Sequence, residues 1–187
     1  MHNVTGIVLA GGLGRRMGGV DKGLQPFRGK PMVQWAIERL APQVGELVIN
    51  ANQNPAEYAR FGHRVVADEL RGFAGPLAGL HAGMKAASHD LVVTAPCDSP
   101  FLPPDLVRRL QGALGAHELA VAKTGVQPHP VFSLVRRTVL PHLEAFLAGG
   151  GRKIDAWYAT LSVVEVAFDD EEEAFRNINT LEELRGA

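Results

Sequence analysis

The chain's 187 residues, 46% of them apolar, suit one domain with a substantial core and exclude a disordered or fibrous protein. Lys and Arg number 19 against 20 Asp and Glu, and the resulting net charge of −1 leaves no broad basic field for nucleic acid or an anionic membrane. One cysteine allows no internal disulfide, and no His/Cys spacing suits zinc. The start Met1-His2-Asn3-Val4 lacks a basic region, and the apolar run after it is short, so a cytoplasmic protein without a secretory signal or membrane span is expected.

Ile7-Val8-Leu9-Ala10 is a short, partly β-branched run that stops at Gly11-Gly12, the pattern of a strand buried on both faces. Pro31 then opens Met32, Val33, Ala36, Ile37 and Leu40 at helical spacing, which predicts a helix over about 31 to 42. Leu47-Val48-Ile49 is the next strand, Pro55 to Phe61 a short helix, and Arg64 to Ala67 a third strand ending at Asp68. Gly75-Pro76 opens a helix to about Ala87, and Leu91 to Ala95 is a fourth buried strand, ending at Pro96-Cys97-Asp98. This βαβ rhythm predicts an α/β domain with a mostly parallel sheet, whose strand ends should converge on one ligand crevice. Beyond it, a helix starting at Pro103-Pro104, strands over Leu119 to Ala122 and Val131 to Val135, and a helix from Val139 to Leu147 form an accessory region that mixes strand directions. Thr180-Leu181-Glu182-Glu183 has a capping-box pattern for a terminal helix.

The richest segment is Leu9-Ala10-Gly11-Gly12-Leu13-Gly14-Arg15-Arg16-Met17-Gly18-Gly19-Val20-Asp21-Lys22. It fails the dinucleotide fingerprint, because Met17 stands where the third glycine belongs, and it lacks the Gly-Lys-Ser/Thr of a Walker loop. What remains is an anion cradle of another kind. Glycines admit oxygens close to backbone N–H groups, and Arg15, Arg16 and Lys22 supply charge, a combination suited to a triphosphate.

Asp98 lies between Pro96 and Pro100, which restrict the backbone and hold the carboxylate at the ligand edge. One carboxylate plus phosphate oxygens is the usual protein share of a Mg²⁺ site. Asp68 fits either a base or metal contact or a loop-starting aspartate. Asn50 and Asn52 suit reading a base or pterin edge and equally suit a turn. Gly75 and Gly79 would admit a flat ring near the backbone or simply a tight helix entry. Cys97 reads as a small buried residue, and His129-Pro130 more as structure than as a phosphate contact. Asp169 to Glu173 is a solvated face or helix start, while Asn177 and Asn179 alternate as on a strand or cap a helix.

No Ser/His/Asp arrangement accompanies these groups, and attack by a phosphate oxygen on an α-phosphorus needs none. The nucleophile is already an anion, so alignment and charge neutralisation suffice. Two unit charges ~4 Å apart interact by about 4 kcal/mol at a surface-like dielectric, so a lysine, an arginine and Mg²⁺ matter when anion approaches anion.

Together the Leu9 to Lys22 block, Gly75-Pro76-Leu77-Ala78-Gly79, Pro96-Cys97-Asp98-Ser99-Pro100, His129-Pro130 and Asn177-Ile178-Asn179-Thr180 resemble the molybdenum cofactor guanylyltransferases, over nearly the whole chain and in order. The resemblance implies a single Rossmann-like three-layer domain, with a nucleotide-binding part over about 1–100 and an acceptor-binding part over about 101–187. It implies transfer of GMP from GTP to the terminal phosphate of Mo-molybdopterin, with Mg²⁺ and release of pyrophosphate. Carried over by position, Leu9, Ala10, Gly11, Gly12, Lys22, Asn50, Asp68 and Asp98 bind GTP, and Asp98 also holds the metal. Arg16, Lys22 and Asp98 serve catalysis, Gly79, Asn177 and Asn179 the pterin, and Gly19 falls among the catalytic or pterin positions. Transient contacts with cofactor-biosynthesis proteins and recipient molybdoenzymes are implied, with no nucleic acid or membrane partner. A cytidylyltransferase of the same cofactor, a sugar-phosphate nucleotidylyltransferase and a noncatalytic nucleotide- or pterin-binding partner are the alternatives.

Overall fold

The computed structural model describes residues 3–10, 21–69, 75–176 and 178. Its seven-stranded sheet contains β1 (Val4–Leu9), β4 (Glu46–Asn50), β5 (Arg64–Val66), β6 (Leu91–Pro96), β7 (Leu119–Thr124), β8 (Gln127–Arg136) and β9 (Val163–Ala167), in the order β5-β4-β1-β6-β8-β7-β9. A separate hairpin is formed by β2 (Pro26–Phe27) and β3 (Lys30–Pro31). The pairs β1/β4, β1/β6, β4/β5 and β7/β9 are parallel, and β8 is antiparallel to both neighbours. The expected mostly parallel α/β sheet with a mixed accessory limb is therefore present.

Alternation along the strands builds two cores. Val8, Ile49, Val93, Ala95, Ala120 and Leu134 face α1 (Met32–Leu40) and α4 (Leu106–Leu114), while Ile7, Val92, Leu119, Val121 and Val135 face α3 (Pro76–Ala86), α5 (Leu140–Ala148) and α6 (Ile154–Tyr158). Period-2 side chains that are apolar on both faces require helices on both, hence three layers. The first core runs from Val4 to Phe175, so both halves of the chain share it and form one domain.

Local chemistry explains the departures from the sequence reading. Helix α4 starts at Leu106, after Pro103-Pro104 and with Asp105 at its N-cap; Leu102 and Pro103, each before a proline, are driven from helical geometry. Its first turn is held by a distant residue: buried Gln43 accepts from the Val107 N–H at 3.0 Å and donates to the Pro103 carbonyl at 2.9 Å. The hairpin, α6 and β9 are additions to the expected elements. The terminal helix expected at Thr180 lies outside the described residues. Among the described residues, no helix is long and apolar enough to cross a membrane.

The strand β8 is irregular where Pro128 and Pro130 remove ladder donors, and its pairing jumps from Ser133 opposite Val121 to His129 opposite Ala122. The freed carbonyls find side chains instead. Tyr158 Oη donates to the Pro130 carbonyl at 2.7 Å and Thr94 Oγ1 to that of Val131 at 2.7 Å. Ser133 Oγ lies 2.6 Å from Tyr158 Oη and 3.2 Å from Thr94 Oγ1; with three protons for four contacts, its proton belongs in the shorter one.

Candidate active site

Chain order and sheet order part company at β1. From β1 the chain moves outward to β4 and β5, then returns to β6 on the opposite side of β1, making a switch point between β1 and β6. Ligand crevices in open parallel sheets form at such points, beyond the carboxyl ends of the strands. The ladder continues one residue past the strands, with Ala10 N–H donating to the Asn50 carbonyl at 2.8 Å and Cys97 N–H to that of Leu9 at 3.0 Å. Asp98 is the next residue along. Its carbonyl accepts the Ile178 N–H at 3.0 Å, so the chain's far end is tied to the same edge.

Lys22, in a 3₁₀ turn over Lys22–Leu24, reaches across 76 positions to pair its ammonium with the Asp98 carboxylate. Their side chains are 17% and 16% exposed, shielded enough to hold geometry yet open to a ligand. Beneath them Cys97 is buried, and burial, with the Asp98 charge, pushes its thiol far above the ordinary range. It stays a neutral packing group.

Across the edge, Asp68 follows β5. Asn50 Nδ2 donates to its Oδ1 at 2.9 Å, Asn52 Nδ2 to its Oδ2 at 2.8 Å, and Asn52 Oδ1 accepts the Asp68 N–H at 2.8 Å. The two amides thus orient a carboxylate, a third role beside the base contact and the turn that the sequence left open. Each carboxylate oxygen keeps acceptor capacity for a ligand donor.

Gly79 lies inside α3, buried, with the Asn50 amide and Leu9 packed against it; a Cβ there would meet Leu9 Cδ2 at 2.7 Å and collide with Asn50 Oδ1. Its bareness lets Asn50 reach Asp68, and it underlies the crevice. His129 is held by Thr124 Oγ1 at 2.8 Å and stacked on Phe175 with ring centroids 4.6 Å apart; burial lowers its pKa below the usual value. Asp169 accepts the Gly125 N–H at 2.7 Å and Asp170 pairs with Arg109 of α4, so the acidic run anchors the β7–β8 turn at one residue and α4 at the next. The candidates Gly11, Gly12, Arg16, Gly19, Asn177 and Asn179 lie outside the described residues.

Sequence reasoning missed the support under Lys22. Tyr58, on α2 (Pro55–Ala59), donates to Asp21 Oδ1 at 2.5 Å, and Asn54 Nδ2 to Asp21 Oδ2 at 3.0 Å. The available signal was a tyrosine in a short helix after a polar loop, since a buried phenol needs a partner.

A lysine and a carboxylate at the switch point of a Rossmann-like sheet, after a glycine-rich stretch, suit a nucleotidyltransferase. The MobA-like NTP transferase domain family matches residues 6–163. A molybdenum cofactor guanylyltransferase of Cupriavidus taiwanensis is 54% identical over 98% of this chain and 95% of its own, and one of Shewanella putrefaciens is 48% identical over 97% and 94%. The crystal structure of molybdopterin-guanine dinucleotide biosynthesis protein A from Archaeoglobus fulgidus superposes with a TM-score of 0.81 at 28% identity, covering 97% of this chain and 95% of that one. The chain belongs to the molybdenum cofactor guanylyltransferases of the MobA-like NTP transferase family.

Proposed function

We propose that this enzyme transfers GMP from GTP to the terminal phosphate of Mo-molybdopterin, in the cytoplasm, with Mg²⁺ as its metal. An oxygen of the acceptor phosphate forms a bond to the α-phosphorus, the bond from that phosphorus to the bridging oxygen breaks, and pyrophosphate leaves with the electron pair. The observation that carries the reading is the Lys22–Asp98 pair at the switch point. A cation and an anion that hold each other can exchange that contact for phosphate and metal. Lys22 neutralises phosphate oxygens and orients the triphosphate, which serves an anion-on-anion displacement that uses no side-chain nucleophile.

The donor set fits a metal that arrives with its nucleotide. Among the described residues no cluster of three His, Cys, Asp or Glu could hold an ion, whereas one carboxylate, Asp98, suits a Mg²⁺ that takes its other oxygens from phosphates and water. When bound there, Mg²⁺ would supply charge neutralisation on the phosphates. Asp68 sits three strand spacings away, about 14 Å at ~4.8 Å per spacing, a span that suits a nucleotide laid across the edge. Its oriented carboxylate accepts hydrogen bonds from the base or ribose, beside Leu9, Ala10 and Asn50. Residues 1–100 or so then serve GTP and the remainder the acceptor, with Gly11, Gly12, Arg16, Asn177 and Asn179 as further contacts, while Gly79, expected at the pterin, is buried against Leu9 and Asn50 and serves by leaving them room. Cofactor-biosynthesis proteins and recipient molybdoenzymes are the proposed transient partners.

The test is pyrophosphate release with Mg²⁺ and Mo-molybdopterin, comparing GTP, CTP and ATP. GTP-selective, pterin-dependent release is expected. Preference for CTP, or turnover with a sugar phosphate as acceptor instead, would overturn the substrate assignment.

A further inference from the structure

The side chain of Asp21, immediately before Lys22, does not cap its own turn. Both of its oxygens are turned to the α2 region, Oδ1 accepting from Tyr58 and Oδ2 from Asn54. Tyr58 is fully buried, and its hydroxyl lies against Gly23, where any Cβ would collide with it and would also meet Cys97 Sγ at 3.3 Å. The phenol thus ends among the residues just before and just after Lys22 and the residue just before Asp98. Asn54 holds a left-handed backbone, φ 50° and ψ 42°, which costs a non-glycine residue free energy unless its side chain is put to use. Here that conformation accompanies the amide's contact with Asp21.

We propose that Tyr58 and Asn54 are positioning residues that set the Lys22 ammonium for the triphosphate, acting through the Asp21 carboxylate. Burial keeps the Tyr58 hydroxyl protonated far above its ordinary range, so it remains a donor at every working pH. A lysine has a long, flexible stem, and a fixed backbone on both sides removes freedom that would otherwise be lost on binding. The inference rests on the reading of Lys22 as a triphosphate ligand.

Tyr58→Phe removes one oxygen and leaves the ring packed. A lost hydrogen bond to a charged group corresponds to a rise of about tenfold in KM for GTP, with kcat changed much less, because the lysine contact is made in the bound ground state. Asp21→Asn weakens both contacts, from Tyr58 and from Asn54, so it should give a split at least as large, and adding Tyr58→Phe to it should cost less than Tyr58→Phe does alone. Asn54→Gly, which accepts the left-handed backbone freely, should raise KM by about threefold without lowering the melting temperature. A wild-type KM in Tyr58→Phe, additive effects in the double variant, or kcat and KM changes that merely follow lost stability would each overturn the proposal.

A substrate-free readout separates this failure from that of the functional reading. Amine methylation of Lys22, followed by mass spectrometry, should speed up several-fold in Tyr58→Phe and Asp21→Asn while other lysines keep their rates. If the wild type turns over no GTP, the functional reading falls and the methylation rates still decide the positioning role. Unchanged Lys22 reactivity would overturn it.

Discussion

Along the carboxyl edge of β1, β4, β5 and β6, Lys22, Asp98, Asn52 and Asp68 hold one another at the surface, through pairs that a ligand can replace. Around the irregular β8, Thr94 of β6, Ser133 of β8 and Tyr158 of α6 are just as polar, yet they are buried and committed to one another and to carbonyls that a proline-broken strand left without partners. Both regions satisfy their polar groups. The difference is that the first set is partly open and carries charge, whereas the second is closed and neutral. Accessible, exchangeable partners mark chemistry here, and buried, exhausted ones mark architecture.

That contrast predicts where substitutions should act. The largest effect is expected at the open edge: Asp98→Asn and Lys22→Ala should each lower kcat/KM for GTP by about 10²–10³-fold while circular dichroism and melting temperature stay near wild type. Full pyrophosphate release by a folded Asp98→Asn protein would place the metal elsewhere. In the closed set, Tyr158→Phe strips the Pro130 carbonyl of its donor and should cost about 1–3 kcal/mol in urea denaturation, with kcat/KM retained. A large catalytic loss there at unchanged stability would erase the division between the two regions.

Smaller effects sharpen it. Asn52→Ala removes one of two amides from Asp68 and should raise KM for GTP by a few-fold, whereas Asp68→Ala should raise it further, measured in the same assay. The smallest effect concerns pH. Burial lowers the pKa of His129 below its ordinary 6.5, so the unfolded state binds this proton more readily than the folded one. The imidazole's contribution to stability is therefore complete above about pH 6.5 and declines as pH falls toward the lowered value. His129→Phe should flatten that part of a urea-derived stability profile; an unaltered slope would show that another group sets it.

The parallel half was legible in the sequence because its signals are local. Ile7 to Ala10, Leu47 to Ile49 and Leu91 to Ala95 are apolar runs that stop at polar residues, and strands buried on both faces leave little choice of residue type. β9 escaped because a partly exposed edge strand, Val163 to Ala167, has weaker patterning, and α6 because five residues are too few to display a period. The β2–β3 hairpin turns through Arg28-Gly29, both at positive φ, where Asn-Gly would have been the readable signal. In the site, Lys22 and Asp98 were readable as charges at strand ends. The service of Asn50 and Asn52 to Asp68, the bare Gly79 beneath Asn50 and the Tyr58–Asp21 contact were not, since each joins residues 16 to 37 positions apart or depends on close packing.

The sequence by itself determined the class of fold, the glycine-rich and charged segment after the first strand, and the kind of ligand those groups suit, because periodicity and residue chemistry act over a few positions. Only the tertiary structure decided which charges meet, which amides orient Asp68 and which hydroxyls are closed off in the core. Those outcomes depend on strand order and on space left by neighbouring side chains. Contacts between segments distant in the chain exist only once a shared core has brought the segments together.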